Sequence, residues 1–198
     1  KKSANLSGPA IVLVAPQMGE NIGACARAML NFGLGNLRLV RPRDGWPNAK
    51  AVASSSGATA VLDAARLYDT TADAVADLGF VLAATGRPRD MAKDVWVPRA
   101  AVKRFREMET AEQVAGVLFG PERAGLENDD VVLADAVLAI PANPAFSSLN
   151  IAQAVLVLAY EWFHAGAPVG LDLARPRAAP ADRQELVEFF EHLEEELD

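Results

Sequence analysis

The chain has 198 residues, 51% of them hydrophobic and 23% charged, with a formal net charge of −7. That length and apolar content predict one globular domain with a small appendage and exclude large-scale disorder. The one cysteine, Cys25, excludes an intrachain disulfide and a cysteine-built zinc site, and points to a reducing, cytoplasmic setting.

Polar residues 1–7 lead into a strand and not into a signal-peptide core. Residues 10–15, AIVLVA, form a continuous apolar run of the kind buried in a parallel sheet. Asn21 can cap a helix that runs to about Phe32, where Gly33 and Gly35 end it. A second strand, 37–40, feeds a turn-rich loop, RPRDGWPN, carrying Arg41 and Arg43. A short helix over 49–56, an extended piece within 60–68 and a helix over 70–78 follow. The third apolar strand, 80–84, ends in Thr85-Gly86-Arg87-Pro88-Arg89. Residues 98–108 read as a basic helix with Arg99, Lys103, Arg104 and Arg106. Strand 115–119 precedes GPERAGL, and a brief helix near 128–134 precedes strand 136–140. A polar loop, 141–148, then opens a helix whose residues, Ile151, Ala152, Val155, Leu156, Leu158 and Ala159, are apolar on nearly every face. Such a helix is expected to be covered on most sides. At about 14 residues it is too short for a bilayer, which needs roughly 20.

After Gly166, residues 167–180 are rich in Pro, Gly and Ala and read as a linker. From 181 to 198 an amphipathic helix carries eight acids and one base, so the acidity belongs to this tail and the body, 1–166, is close to neutral. An acidic polar face excludes a helix lying on anionic lipid. A neutral body leaves nucleic-acid binding to local clusters.

Alternating apolar strands and helices predict an α/β domain with a mainly parallel sheet, in which ligands sit beyond the carboxyl ends of strands. No Gly-x-Gly-x-x-Gly follows the first strand and no Gly-x-x-x-x-Gly-Lys-Ser/Thr occurs, so a nicotinamide oxidoreductase and a triphosphate cradle are disfavoured. His164 and His192 fall late in the chain, away from the glycine-rich strand ends, which argues against a metal centre and a Ser-His-Asp triad.

Three segments taken together are more specific than any one: NIGACARAMLNFGL (21–34), LFGPERAGL (118–126) and IPANPAFSSLNIAQAV (140–155). In order and spacing they resemble the three motifs of the TrmH-type SPOUT RNA ribose methyltransferases, most of all the TrmJ-like subgroup that methylates the 2′-hydroxyl of tRNA nucleotide 32. The resemblance implies a SPOUT fold with a C-terminal deep trefoil knot, which periodicity would never suggest. It also implies S-adenosyl-L-methionine as cofactor, no metal, and a homodimer with each active site at the subunit interface.

By the same likeness, Ala84, Thr85, Gly86, Gly120, Ile140, Ser147, Ser148 and Leu149 line the cofactor pocket, with Gly120 admitting close backbone approach. Arg27, six residues after Asn21, matches the arginine proposed to act on the attacking hydroxyl. With a pKa above about 12 it is a poor base, so stabilising an alkoxide or binding a phosphate is the physically sounder role. Asn21 doubles as a cap, Glu122 is placed to orient Arg27 or the knot loop, and Ser148 and Asn150 to hold that loop and the substrate. Cys25 reads as a small buried apolar group. Arg41, Arg43, Arg87, Arg89, Lys93 and Arg123 suit phosphate contacts. No aromatic ladder for stacking bases is evident, so recognition by RNA shape is expected. Two other readings stay open: ribosomal RNA as substrate, and a non-catalytic dimeric RNA-binding protein of the same fold.

Overall fold

The computed structural model describes residues 6–86, 93–166 and 182–197. The chain divides into two compact units, 1–168 and 169–198. In the first, seven parallel strands form one sheet: β1 (Ala10–Val14), β2 (Leu37–Val40), β3 (Arg66–Tyr68), β4 (Phe80–Ala84), β5 (Val95–Trp96), β6 (Ala115–Phe119) and β7 (Ala136–Leu138). Their order is β3-β2-β1-β6-β4-β7-β5. The late strands fill the middle, β6 between β1 and β4, and β7 between β4 and β5. Leu13 pairs with Phe119, Phe119 with Ala84, and Ala84 with Leu138. Four carboxyl ends therefore lie side by side, and the loops that leave them must meet.

The pleat sends alternate residues to two layers. Ile11, Leu13, Leu37, Leu39, Leu82, Val117 and Phe119 join the larger cluster, with buried residues of α1 (Gly19–Asn31), α2 (Ala49–Ser54), α3 (Thr59–Asp63), α5 (Pro98–Thr110) and α7 (Ile151–His164). Ala10, Val12, Val14, Val81, Ala83 and Leu118 face the smaller one, with Ala74 of α4 (Thr71–Val75) and Val131 of α6 (Asn128–Val132). Runs that are apolar at every position, as in β1, are what a sheet covered on both faces requires.

Strands β1, β2, β4 and β6 fall where the apolar runs place them. Two elements differ from the sequence reading: 59–63 is helical, and Val95–Trp96 is a strand. Two residues are too few to show a period. Helix α7 is also less covered than its composition implies. Val155, Leu158 and Trp162 are buried against α1 and α5, but Leu156 and Tyr160 are 40% and 48% exposed. Among the described residues, the buried side of this helix packs on α1 and α5.

Arg38 breaks the apolar pattern of β2 and is 1% exposed. Its guanidinium donates to the Ala74 carbonyl at 2.7 Å, to Asn36 Oδ1 at 3.3 Å and to both oxygens of Asp77. A buried charge needs such partners. Hydrogen bonding to Arg38 holds the Asp77 carboxyl below its ordinary range. Folding thus favours the ionised form, so the pair's stabilisation is fully present above an unfolded carboxylate pKa of about 4 and is lost as the pH falls through the lowered folded value. Thermal denaturation from about pH 3 to 6 is expected to show Asp77→Asn less stable than wild type near pH 6, with the gap closing at the acid end.

In the second unit, α8 (Arg183–Leu197) starts at a reciprocal cap, Asp182 N–H to Glu185 Oε2 and Glu185 N–H to Asp182 Oδ1, both 2.9 Å. Leu186, Phe189, Phe190 and Leu193 make its apolar stripe. The stretch read as a linker, 167–180, lies outside the described residues.

Candidate active site

Beyond the carboxyl ends of β4, β6 and β7 lies a cavity of about 290 Å³, at the low end of the roughly 300–1,000 Å³ usual for small-molecule sites. Ala84, Thr85 and Gly86 form one wall, Gly120 to Gly125 another, and Ile140 with Ser147, Ser148 and Leu149 a third. All eight residues named for the cofactor lie on this one cavity. Phe119, Leu138, Ile151 and Ala154 complete it. Those four are strand-end and first-helical-turn residues with no chemical signature of their own, so the topology is what assigns them to the cavity.

The loops are joined by a ladder of polar contacts. Glu122 accepts from the Gln17 backbone N–H at 3.0 Å and from Asn21 Nδ2 at 2.6 Å. Asn21 Oδ1 in turn accepts from Asn150 Nδ2 at 3.1 Å. Asn150 caps α7: its Oδ1 accepts from the Ala152 N–H at 2.8 Å, and its own N–H donates to Gln153 Oε1 at 3.1 Å. One carboxylate and two carboxamides thus bind the loop after β1, the loop after β6 and the start of α7. The geometry departs from one expected role. Helix α1 begins at Gly19 behind Met18, which makes no side-chain cap, so Asn21 sits in the first turn and spends its amide on the neighbouring loops. Of the two expected partners of Glu122, Arg27 and the loop before α7, its bonds run toward the loop, through Asn21 to Asn150, and also to Gln17. The backbone donor of Gln17 left no signal in the sequence.

Arg27 stands exposed two turns along α1 and donates from Nη1 to Ser56 Oγ at 3.0 Å. It is not among the residues around the cavity. Cys25, on the buried face of α1, is fully enclosed, and that burial pushes its thiol pKa far up. It stays a neutral thiol. Gly120 does allow a close approach, but by its own chain: a Cβ there would lie 2.2 Å from the Leu126 nitrogen. At Gly86, among the described residues, the one atom such a Cβ would reach within 4 Å is the Ser147 carbonyl oxygen, at 4.0 Å across the cavity.

Of the basic residues, Arg123 lines the cavity and is exposed. Arg41 and Arg43 are exposed after β2, at the same sheet edge, though Arg43 pairs with Asp44 at 3.0 Å. Such an exposed pair is worth little and competes weakly with a phosphate. Lys93 is engaged elsewhere: its Nζ donates to the Val132 and Ala134 carbonyls at the end of α6. Bonding carbonyls at a helix end is a structural job, and it sets Lys93 apart from the phosphate-binding set. Arg87 and Arg89 lie outside the described residues. Among the described residues no His/Cys/Asp/Glu group could hold a metal ion, and no helix is long and apolar enough to cross a membrane.

The cavity, lined by apolar side chains, loop backbone and the polar residues Thr85, Glu122, Arg123, Ser147 and Ser148, lies at the carboxyl edge of a parallel α/β sheet, the place where proteins of this class bind small-molecule ligands. The chain belongs to the SpoU rRNA Methylase family, whose model matches residues 8–160. It is 37% identical over 198 residues to the tRNA (cytidine/uridine/adenosine-2′-O-)-methyltransferase TrmJ of Pseudomonas aeruginosa, covering 94% of this chain and 76% of that one. The Yersinia pestis tRNA (cytidine/uridine-2′-O-)-methyltransferase TrmJ is 39% identical over 195 residues, covering 94% and 74%. Among solved structures, TrmJ from Z. mobilis superposes with a TM-score of 0.75 at 50% identity, over 97% of this chain and 80% of that one. AviRb from Streptomyces viridochromogenes in complex with AdoMet, at 22% identity and a TM-score of 0.61 over 82% of this chain and 60% of that one, shares the fold.

Proposed function

We propose that the protein transfers a methyl group from S-adenosylmethionine to a ribose 2′-hydroxyl of tRNA, at nucleotide 32 of the anticodon loop. It acts in the cytoplasm as a homodimer of TrmH-type SPOUT subunits. The observation that carries this reading is the single cavity shared by all eight candidate cofactor residues and locked by the Glu122–Asn21–Asn150 ladder. The tRNA assignment draws on the names of the relatives at 37% and 39% identity. Residues 1–166 form the methyltransferase domain, 167–180 the linker and 181–198 a separate helix. The segment from β7 into α7 forms the trefoil knot, and the ladder from Asn150 to the first and second loops pins it.

The residues present fit the cofactor. Leu138, Ile140, Leu149 and Ile151 offer apolar walls to a purine, and the backbone of 85–86, 120 and 147–149 offers donors and acceptors to its polar edges. What the cofactor supplies when bound is a sulfonium methyl with a neutral thioether as leaving group. The protein's part is to orient the ribose and to lower the cost of losing the hydroxyl proton. Ser148 and Asn150, at the cavity and beside it, hold the substrate. The Arg27 guanidinium stabilises the charge that develops on the 2′-oxygen. Arg41, Arg43 and Arg123 take the phosphates. Two observations favour the dimer. Arg27 lies off the cavity of its own chain, and α7 exposes Leu156 and Tyr160, an apolar stripe suited to a second copy.

Calorimetric titration with S-adenosylhomocysteine, followed by labelled-methyl transfer to tRNA and to ribosomal RNA with nucleoside analysis, tests the proposal. Micromolar binding and a 2′-O-methylated nucleoside at position 32 are expected. No binding by the folded protein would favour the non-catalytic reading, and a product confined to ribosomal RNA would replace the substrate. Gly86→Leu sharpens the test, because its side chain projects across the cavity toward Ser147. It is expected to weaken S-adenosylhomocysteine binding roughly 100-fold or more with little change in melting temperature.

A further inference from the structure

Phe146 stands 78% exposed on the loop between β7 and α7. It is not there by looseness. The Phe146 N–H donates to the Asn143 carbonyl at 2.8 Å, closing a turn, and Asn143 Oδ1 accepts from the Ala145 N–H at 3.0 Å. Pro144 fixes φ at the second turn position. The three residues that follow, Ser147, Ser148 and Leu149, line the cavity, and Asn150 ties the loop's end to Asn21. A large apolar ring is thus presented at a set position within a few residues of the cavity wall.

Residues 139–150 contain no charged side chain, so this loop holds no phosphate by ion pairing. The charges sit on the loops after β2 and β6, as Arg41, Arg43 and Arg123. What the loop offers instead is a π face, the feature that binds an unpaired nucleobase regardless of its sequence. We infer that Phe146 is a stacking platform for a base of a single-stranded RNA loop, and that it seats the nucleotide whose ribose is presented at the mouth of the cavity. This rests on the RNA reading above and adds a positioning residue to it. Recognition then has two parts, with arginines gripping the backbone and one ring fixing the register.

The test compares Phe146→Ala, Phe146→Leu and Phe146→Trp in methyl transfer to tRNA, with KM and kcat separated. S-adenosylhomocysteine affinity and sedimentation are measured for each variant. Alanine and leucine are expected to raise the tRNA KM roughly 5- to 100-fold, tryptophan to stay near wild type, and S-adenosylhomocysteine affinity to hold within about twofold. A leucine variant with wild-type KM overturns the inference, since apolar bulk without a π face would suffice. So does a drop in S-adenosylhomocysteine affinity, which would make Phe146 a cavity wall, or an alanine variant that sediments as a monomer, which would place the ring between copies. If wild type binds S-adenosylhomocysteine yet methylates no RNA, the proposed function fails separately. The ring is then judged on a single-stranded RNA oligonucleotide carrying 2-aminopurine. Quenching by wild type that Phe146→Ala lacks supports stacking, and equal quenching by both overturns it.

Discussion

Two inactive variants, mixed, are expected to regain about a quarter of wild-type methyl transfer. The first is Arg27→Ala, which should lower kcat about 100- to 1,000-fold, the usual loss when a donor to a developing oxyanion is removed. Its S-adenosylhomocysteine binding should be unchanged, because the role proposed for Arg27 is on the substrate's 2′-oxygen and not on the cofactor. Lysine should recover little, since a compact ammonium does not reproduce the planar guanidinium. The second variant is Gly86→Leu, which fills the cavity and leaves Arg27 in place. If each site takes its cavity from one chain and its arginine from the other, a mixed dimer holds one intact site. Random re-association makes half of all dimers mixed, which gives about a quarter of full activity. An arginine acting within its own chain predicts no recovery at all. The measurement is labelled-methyl transfer before and after subunit exchange, and activity no higher than that of the parents would sink the shared site.

The sequence carries this much because the two kinds of signal differ in range. Strands β1, β4 and β6 are buried on both faces, so each needs an unbroken apolar run, and the runs are visible at 10–14, 80–84 and 115–119. The order in which strands lie is a long-range property. Nothing local says that β6 inserts between β1 and β4, yet that insertion is what brings Gly120 and Ala84 to one cavity. Gly120, Ile140, Ser147, Ser148 and Leu149 were legible within two of the motifs that resemble a family, Ala84 to Gly86 through the same likeness outside the motifs, and their meeting point was not. Side-chain partners are less legible still. Asn21 looks like a cap and serves as a cross-brace, while Lys93 looks like a phosphate ligand and closes a helix end. Phe146 is one apolar residue in the sequence, and becomes distinctive only once its turn leaves it in water.

Gly120 separates two explanations that the sequence cannot tell apart. A glycine at a strand end beside a cofactor site is commonly there so that the ligand can approach the backbone. Here the space beside its Cα is taken by the protein itself, with Leu126 N at 2.2 Å, Gly125 C at 2.4 Å and Leu126 Cα at 2.8 Å from where a Cβ would sit. Those atoms are backbone and cannot rotate away as a side chain would. Gly120→Ala must therefore push the 121–126 loop outward, and with it Glu122, which braces Gln17 and Asn21. Overpacking of this kind costs about 1–3 kcal/mol, which for a chain of this size lowers the melting temperature by roughly 3–10 °C. S-adenosylhomocysteine affinity should fall with it, because the displaced loop is a wall of the cavity. Gly86→Ala is the control: among the described residues its Cβ meets no atom closer than 4.0 Å, so the melting temperature should hold. Scanning calorimetry of both variants with and without S-adenosylhomocysteine distinguishes the explanations. A Gly120→Ala protein that melts like wild type and has lost only its ligand would mean the glycine serves the ligand. A protein that melts early even without ligand would mean it serves the loop, and binding suffers because the loop carries the brace.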